Sequence, residues 1–468
     1  MRSVAIIGGG ISGLATAYRL AKAGISSTLI ERRPGLGGVI RTESVEGCVV
    51  EAGPDSFLSA KPWALDLIRE LGLAGDVIGS NDHLRVTYVI KRGRLVPLPD
   101  GLMLMVPTRI MPMIATRLVS WPSKIRMGLD CLRRPGKEGR EDRSVADFIR
   151  EHYGQEAVDY LAEPLLAGVY GGDPEQLSIS SVLPLFAELE RKHGSLTRGV
   201  LAARRQRPKS GEALPLFQTL RRGLGSMIDA LAAAAAPRLK VIRDTAQSVE
   251  RRQNRFLLHL EGGELEADCV VLACQAYAAG ALLRSLDAPL ADQLCSIPYN
   301  SSITISLGYQ KSSFDGKLKG FGFLVTRLER GRMVACTQVG TKFPYRVPED
   351  KVMLRCFLGG EAEETDADLA AHVGEELRRI IGLTAQPLFT RVSRWPRSMA
   401  QYTVGHKQRV EAIEGRLEAL PGVYVAGNAY SGIGVTDCAR MGKQAAEKIL
   451  ATRILIAPSR ALDTTSTI

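Results

Sequence analysis

The stretch VAIIGGGISGLATAYRLAKAGISSTLIE, residues 4–31, decides the fold. Val4-Ala-Ile-Ile7 is a short uninterrupted apolar run, which reads as a buried strand of a parallel sheet. Gly8-Gly9-Gly10-Ile11-Ser12-Gly13 follows with GxGxxG spacing, an amphipathic helix is expected to about Ala23, and a second strand over 26–31 ends in Glu31. Three demands coincide there: a tight turn, close approach of backbone to a pyrophosphate, and close packing of helix on sheet. The helix N-terminus turns free N–H groups and a positive dipole end toward the phosphates. Glu31 stands where a carboxylate accepts hydrogen bonds from a ribose diol, and its charge would repel a 2′-phosphate. A glycine-rich turn without a ligand would not bring the acid and the second strand into register. At this point NAD and FAD both fit.

The rest of the composition is that of an ordinary folded chain. Its 468 residues are 45% hydrophobic and 24% charged, which suits two or three joined domains. The net charge of +11 favours an anionic partner. No zinc-finger spacing and no aromatic-plus-basic pattern points to nucleic acid, so none is expected as a partner. The eight cysteines are scattered without a CxxC pair, mostly in apolar runs, as in buried free thiols. No metal site is expected. Glycines break the N-terminal apolar run, and no stretch reaches the length of a membrane span. The sequence therefore reads as an intracellular protein.

The residues after Glu31 separate the two cofactors. Arg33-Pro-Gly-Leu-Gly-Gly-Val-Ile-Arg-Thr42 places a second glycine pair, Gly37 and Gly38, just beyond the acid. It resembles the RxGGxxxT element of the flavin-containing amine oxidase and porphyrinogen oxidase superfamily. Such a second backbone cradle suits FAD. Glu51-Ala-Gly-Pro-Asp-Ser-Phe57 follows where that superfamily runs its chain past the flavin. Residues 239–275 read as a strand-rich return to the nucleotide sheet. Near the C-terminus, VYVAG (423–427) reads as a buried strand and Gly432-Ile-Gly-Val435 leads into a helix from about Thr436. The N-terminus of that helix suits negative charge on the N1–C2=O edge of a flavin. Asn428 stands where many flavoproteins place a ribityl-binding Asp.

The expected fold is α/β with an α+β substrate part. A Rossmann-like FAD-binding domain is assembled from the discontinuous segments 1–83, 212–285 and 390–455. Residues 84–100 and 286–389 form an antiparallel-sheet substrate domain, 101–211 a helical and membrane-facing domain, and 456–468 a disordered tail.

The chain resembles the FAD-dependent protoporphyrinogen/coproporphyrinogen oxidase family over nearly its whole length, closest to the soluble Gram-positive type. The stretches that carry this are GPDSFLSAKP, EPLLAGVYGGDPEQLS (163–178), GFGFLV (320–325), RWPRSMAQYTVGHKQR (394–409) and GIGVTDCARMGK (432–443). EPLLAGVYGGDP sets the chain apart from amine oxidases and carotenoid desaturases. The resemblance implies a haem-biosynthesis enzyme that dehydrogenates a porphyrinogen, with coproporphyrinogen III preferred over protoporphyrinogen IX, O2 as acceptor and H2O2 as by-product. Carried over by position, FAD would be held by Gly8, Gly9, Gly10, Ile11, Ser12, Gly13, Glu31, Arg32, Gly37, Gly38, Val39, Gly53, Pro54, Asp55, Ser56, Ala246, Trp395, Ile433, Gly434 and Val435. The macrocycle would lie near Gly168, Leu324, Thr337 and Phe357. Thr87 occupies the position of a propionate-gripping Arg in the mitochondrial enzymes, so Lys61 is the candidate for that role.

No catalytic side chain is expected, because an electron-rich porphyrinogen gives up hydride to a flavin directly. His406, in VGHKQR, is a candidate base that the sequence does not place near the substrate. Residues 103–129 contain no acid, and Arg109, Arg117, Lys124 and Arg126 punctuate an apolar series. That pattern fits either a peripheral membrane surface or a core-packing helix pair. The basic run 191–210 reads as a solvated loop. A carotenoid desaturase, an amine oxidase and a non-catalytic flavin-binding scaffold remain as alternatives.

Overall fold

The computed structural model describes residues 3–135, 141–206, 214–314 and 316–455. The expected tail, 456–468, and part of the basic run lie outside them.

Val4–Ile7 is buried along its whole length and is the central strand of a five-stranded parallel sheet. It pairs with Ser27–Ile30 on one side and Cys269–Leu272 on the other. Leu239–Ile242 and Val423–Val425 form the two edges. Three far-apart segments of the chain thus supply one sheet. Helix Ile11–Lys22 crosses from the first strand to the second and packs on helix Val435–Leu455 and on Gly225–Ala235. The first contact is unusually close. A Cβ on Gly442 would lie 2.3 Å from the Ser12 carbonyl oxygen, and the Ser12 and Thr16 hydroxyls donate to the carbonyls of Cys438 and Gly442.

A seven-stranded sheet lies beside it. Its order is Phe389–Ala400, Tyr299–Gln310, Lys351–Gly359, Met333–Gln338, Gly322–Val325, Thr87–Lys91 and Arg94–Pro97. The edge strand Phe389–Ala400 crosses the division expected at residue 390. One pairing, Gly322–Val325 with Thr87–Lys91, is parallel. These two strands come from distant parts of the chain, so no hairpin imposes the antiparallel direction. The sheet alternates: Ile303, Ile305 and Leu307 enter a core beneath helix Asp366–Ile381, while Ser302 and Thr304 line a cavity on the opposite face.

Helices from Trp121 to Gln206 cover the remaining side. The run expected as a basic loop continues as helix Leu196–Gln206, because Leu196 and Val200 are fully buried one turn apart and anchor it. Helix Glu163–Tyr170 follows a π-helical stretch, Val158–Ala162. Pro164 has no N–H to give to the preceding turn, which is one physical cause of such a widening. The buried Glu163 carboxylate accepts from the Arg327 backbone N–H at 3.0 Å and from Arg330 at 2.5 Å, fixing this helix to the seven-stranded sheet.

Candidate functional site

One cavity of about 1550 Å³ runs from the glycine-rich turn, between the two sheets, to the helices. That exceeds the roughly 300–1,000 Å³ usual for a single small-molecule pocket, and it leaves room for two ligands end to end.

The glycine-rich turn forms one end. Gly8 has φ +108°, and a Cβ there would lie 2.6 Å from the Ala273 carbonyl oxygen; one on Gly13 would lie 2.0 Å from that of Gly8. Gly9 and Gly13 do not line the cavity and serve packing. Gly10 differs from them: nothing lies within 4 Å of the space a Cβ would fill, and that space belongs to the cavity. Helix Ile11–Lys22 starts there without a capping side chain or an acid in its first turn. Its first amides are left for an anion. The residues present therefore fit a dinucleotide pyrophosphate.

Glu31 is buried beside the turn, and its two carboxylate oxygens accept from the backbone N–H groups of Gly9 at 2.7 Å and Arg33 at 2.8 Å. Arg32, Gly37, Gly38 and Val39 continue the wall, and Ala246 lines the same end at the start of strand Ala246–Arg252. Gly53 must be glycine, because a Cβ would lie 1.9 Å from the Val39 carbonyl oxygen. Pro54, Asp55 and Ser56 extend the wall toward the middle. Trp395 reaches it from the seven-stranded sheet, its indole N–H donating to the Ala52 carbonyl at 2.8 Å. Opposite, Ile433, Gly434 and Val435 bring in the start of the last helix. Asn428 lines the cavity while its amide donates to the Ser398 carbonyl at 2.8 Å.

At the far end Gly168, Leu324, Thr337 and Phe357 converge from one helix and three strands. A Cβ on Gly168 would come 3.3 Å from Leu324 Cδ2, so the helix lies almost against the sheet at that point. Thr87 lines the same space. Lys61 also reaches the cavity, but its ammonium is held by both carboxylate oxygens of Asp437, at 2.7 and 2.9 Å.

His406 is buried at the cavity wall, stacked on Tyr402 with ring centroids 3.9 Å apart. Its Nε2 lies 3.2 Å from the Tyr430 carbonyl, which can only accept, so Nε2 carries the proton. Burial pushes the imidazole down to about 4, leaving it neutral, and Nδ1 has no hydrogen-bond partner among the described residues.

Two cations at the cavity were not among the residues singled out from sequence, Lys342 and Arg355. Both flank Asp55, at 3.1 and 3.6 Å. Burial alone would raise the Asp55 carboxyl, but Lys342 and Arg355 outweigh it and hold it well below the usual carboxylate range. A local signal existed for Arg355, a lone charge inside the apolar strand VMLRCFLG. Lys342 sits in no recognisable motif.

The model of one protein family, flavin containing amine oxidoreductase, matches residues 11–450. The chain belongs to that family. Among flavin containing amine oxidoreductases it is 34% identical to the coproporphyrinogen III oxidase of Bacillus subtilis, over 96% of this chain and 98% of that one. It is 30% identical to the chloroplastic protoporphyrinogen oxidase of rice, over 95% of this chain and 87% of that protein. The crystal structure of an Exiguobacterium protein, provisionally named a protoporphyrinogen oxidase, superposes with a TM-score of 0.85 at 30% identity, covering 96% and 99% of the two chains. The protein is thus a flavin-dependent oxidoreductase with FAD as its cofactor, and its α/β fold is that of this family.

Proposed function

We propose that the protein oxidises coproporphyrinogen III to coproporphyrin III in haem biosynthesis, passing the electrons to O2 with release of H2O2. The observation that carries this reading is a single cavity joining a dinucleotide cradle to an apolar slot between Gly168, Leu324 and Phe357. Relatives named for both porphyrinogens support the substrate class.

In this reading Gly8, Gly10 and the first amides of helix Ile11–Lys22 hold the pyrophosphate while Gly9 and Gly13 shape the turn, and Glu31 takes the ribose diol beside Arg32. Ala246 borders the adenine; Gly37, Gly38, Val39, Gly53 to Ser56 and Trp395 border the flavin ring. Bound FAD supplies a hydride acceptor. The N-terminus of helix Val435–Leu455, approached through Ile433 and Gly434, stabilises negative charge at the ring edge. Leu324 and Phe357 sandwich the macrocycle and exclude water, Thr337 borders it, and the Gly168 carbonyl faces its pyrrole N–H groups. Holding the reacting carbon against the acceptor in a dry slot supplies most of what such a reaction needs from protein.

The experiment is anaerobic mixing of the yellow protein with coproporphyrinogen III, expected to bleach the flavin. Steady-state fluorescence assays then compare kcat/KM with protoporphyrinogen IX. Unbleached flavin would defeat the reading; a preference for protoporphyrinogen IX would change only the substrate.

The proposal includes a cytoplasmic enzyme that rests on the inner face of the cell membrane. Ile110, Met111, Trp121 and Ile125 are exposed, from 60% to 76%, on two short helices. Lys124 stands 4.7 Å from the Trp121 ring among them. No helix among the described residues is long and apolar enough to cross a membrane. Sedimentation with anionic vesicles, reduced in a Trp121→Ser/Ile125→Ser variant, is the expected result. Absence of any vesicle binding by the wild-type protein would remove this part.

A further inference from the structure

We infer that Lys342 and Arg355 form a carboxylate subsite that binds one propionate of the substrate, an inference that rests on the porphyrinogen reading. Behind the cavity wall lies a buried group of five charges. Glu51 is fully matched: Arg346 lies 3.0 Å away, and Glu51 also accepts from the Thr42 hydroxyl at 2.6 Å and the Leu224 N–H at 2.8 Å. Asp55 is then left to two cations, Lys342 at 3.1 Å and Arg355 at 3.6 Å. Three cations thus face two carboxylates, so one positive charge is unmatched in this group. Unmatched charge in a water-poor site is costly, and it attracts an anion of the right reach.

The Lys342 ammonium touches both Asp55 oxygens, at 3.1 and 3.3 Å, and the Ser56 hydroxyl at 3.3 Å, so it shares that one carboxylate with Arg355. Arg355 is 3% exposed, lines the cavity and spends one terminal nitrogen on the Gly53 carbonyl, yet its Nε has no partner. Its guanidinium stands 4.8 Å from the Phe357 ring. The Lys342 ammonium stands 4.8 Å from the ring of Phe217 and 4.9 Å from that of Phe343. Ring faces attract a cation without supplying a countercharge.

Location identifies the anion. Arg355 lies on the floor of the seven-stranded sheet, paired across the ladder with Thr337 and two residues from Phe357. Lys342 ends the short helix that continues the Thr337 strand. Both therefore belong to the slot rather than to the parallel sheet that carries the phosphate cradle. An apolar wall with a cation at its margin matches a macrocycle bearing short carboxylate arms. Lys61 is held in the same way by both oxygens of Asp437, with Arg440 3.9 Å from that carboxylate, but Arg440 does not line the cavity, whereas both cations beside Asp55 do.

The test uses the flavin-loaded enzyme and the variants Lys342→Met, Lys342→Arg and Arg355→Met. Equilibrium titration with coproporphyrin III, steady-state kinetics on coproporphyrinogen III and the flavin midpoint potential are measured for each. Lys342→Met is expected to raise Kd and KM by about tenfold or more, the usual weight of a charged hydrogen bond. Lys342→Arg should restore most of that loss, while flavin content and potential stay unchanged. Unaltered Kd and KM in Lys342→Met would overturn the inference, even if Arg355→Met fails to fold. So would a lowered potential and kcat at constant KM, since the anion served would then be the flavin. Wild-type enzyme that oxidises porphyrinogen beside unaffected variants defeats only the subsite; wild-type enzyme that leaves porphyrinogen unoxidised defeats both readings.

Discussion

The two ends of the cavity are built on different principles. At the glycine-rich end the chain offers backbone: the amides after Gly10, the bare Cα positions of Gly8 and Gly53, and one carboxylate, Glu31, that braces the turn. At the far end it offers side chains carried by distant strands, with Phe357, Leu324 and Arg355 meeting only because the sheet brings them together. A backbone site tolerates almost no added atom but little depends on which side chains surround it. A side-chain site tolerates substitution in graded steps. Mutations should therefore behave as all-or-none at one end and incrementally at the other.

The sharpest way to break that contrast is Gly10→Glu. A carboxylate in the open space beside Gly10 would occupy the pyrophosphate position and repel it. The purified variant is expected to be colourless, and a full flavin complement by absorbance would refute the placement.

Next in size is an acid effect that belongs to neither ligand. An unfolded imidazole titrates near 6.5, and burial brings that of His406 down to about 4. The folded state therefore favours the neutral form. The resulting stability is complete above about pH 6.5 and is lost as pH falls toward 4, on the order of 3 kcal/mol in all. Tm of the wild-type protein should fall more steeply across that window than Tm of His406→Asn; parallel slopes would show that His406 does not titrate in this way.

At the far end, Phe357→Ala and Leu324→Ala should each raise KM by roughly tenfold, given about 1.5–3 kcal/mol for a large buried apolar side chain. Flavin content should not change. If either variant instead loses flavin, the two ends are coupled and the contrast fails. The smallest expected effect is ionic. At net charge +11, the kcat/KM advantage of the more anionic coproporphyrinogen III should shrink severalfold as salt rises. An advantage independent of salt would assign the preference to close contacts such as Lys342.

The same contrast explains what could be read before the fold was known. Val4 to Glu31 is local: strand, turn, helix and acid follow one another in sequence, and the structure keeps that order. Gly53 and Gly434 were legible because glycine spacing records close backbone approach. Phe357, Leu324, Thr337 and Gly168 were reached through resemblance to a family, not through their own pattern. Lys342 carries no local signature, since its role depends on Asp55, nearly three hundred residues earlier. The polarity of Arg355 was visible, but its partner was not. The parallel pairing of Thr87–Lys91 with Gly322–Val325 was illegible for the same reason, as strand direction across a long connection leaves no mark in either segment.

The interlocking of the first and last helices has a consequence for synthesis. Val4–Ile7 leaves the ribosome well before its partners: one neighbour in its sheet waits for Cys269–Leu272, and the sheet edge waits for Val423–Val425. At roughly 5–20 residues per second, that interval is on the order of tens of seconds. Throughout it Ala5, Ile6 and Leu14, which have no exposed surface in the finished molecule, lack their eventual cover. The nascent protein is therefore a natural client for chaperones. A chain that stops before residue 435 has the phosphate-binding turn but not the helix that packs against it, so termination there should yield protein unable to retain FAD.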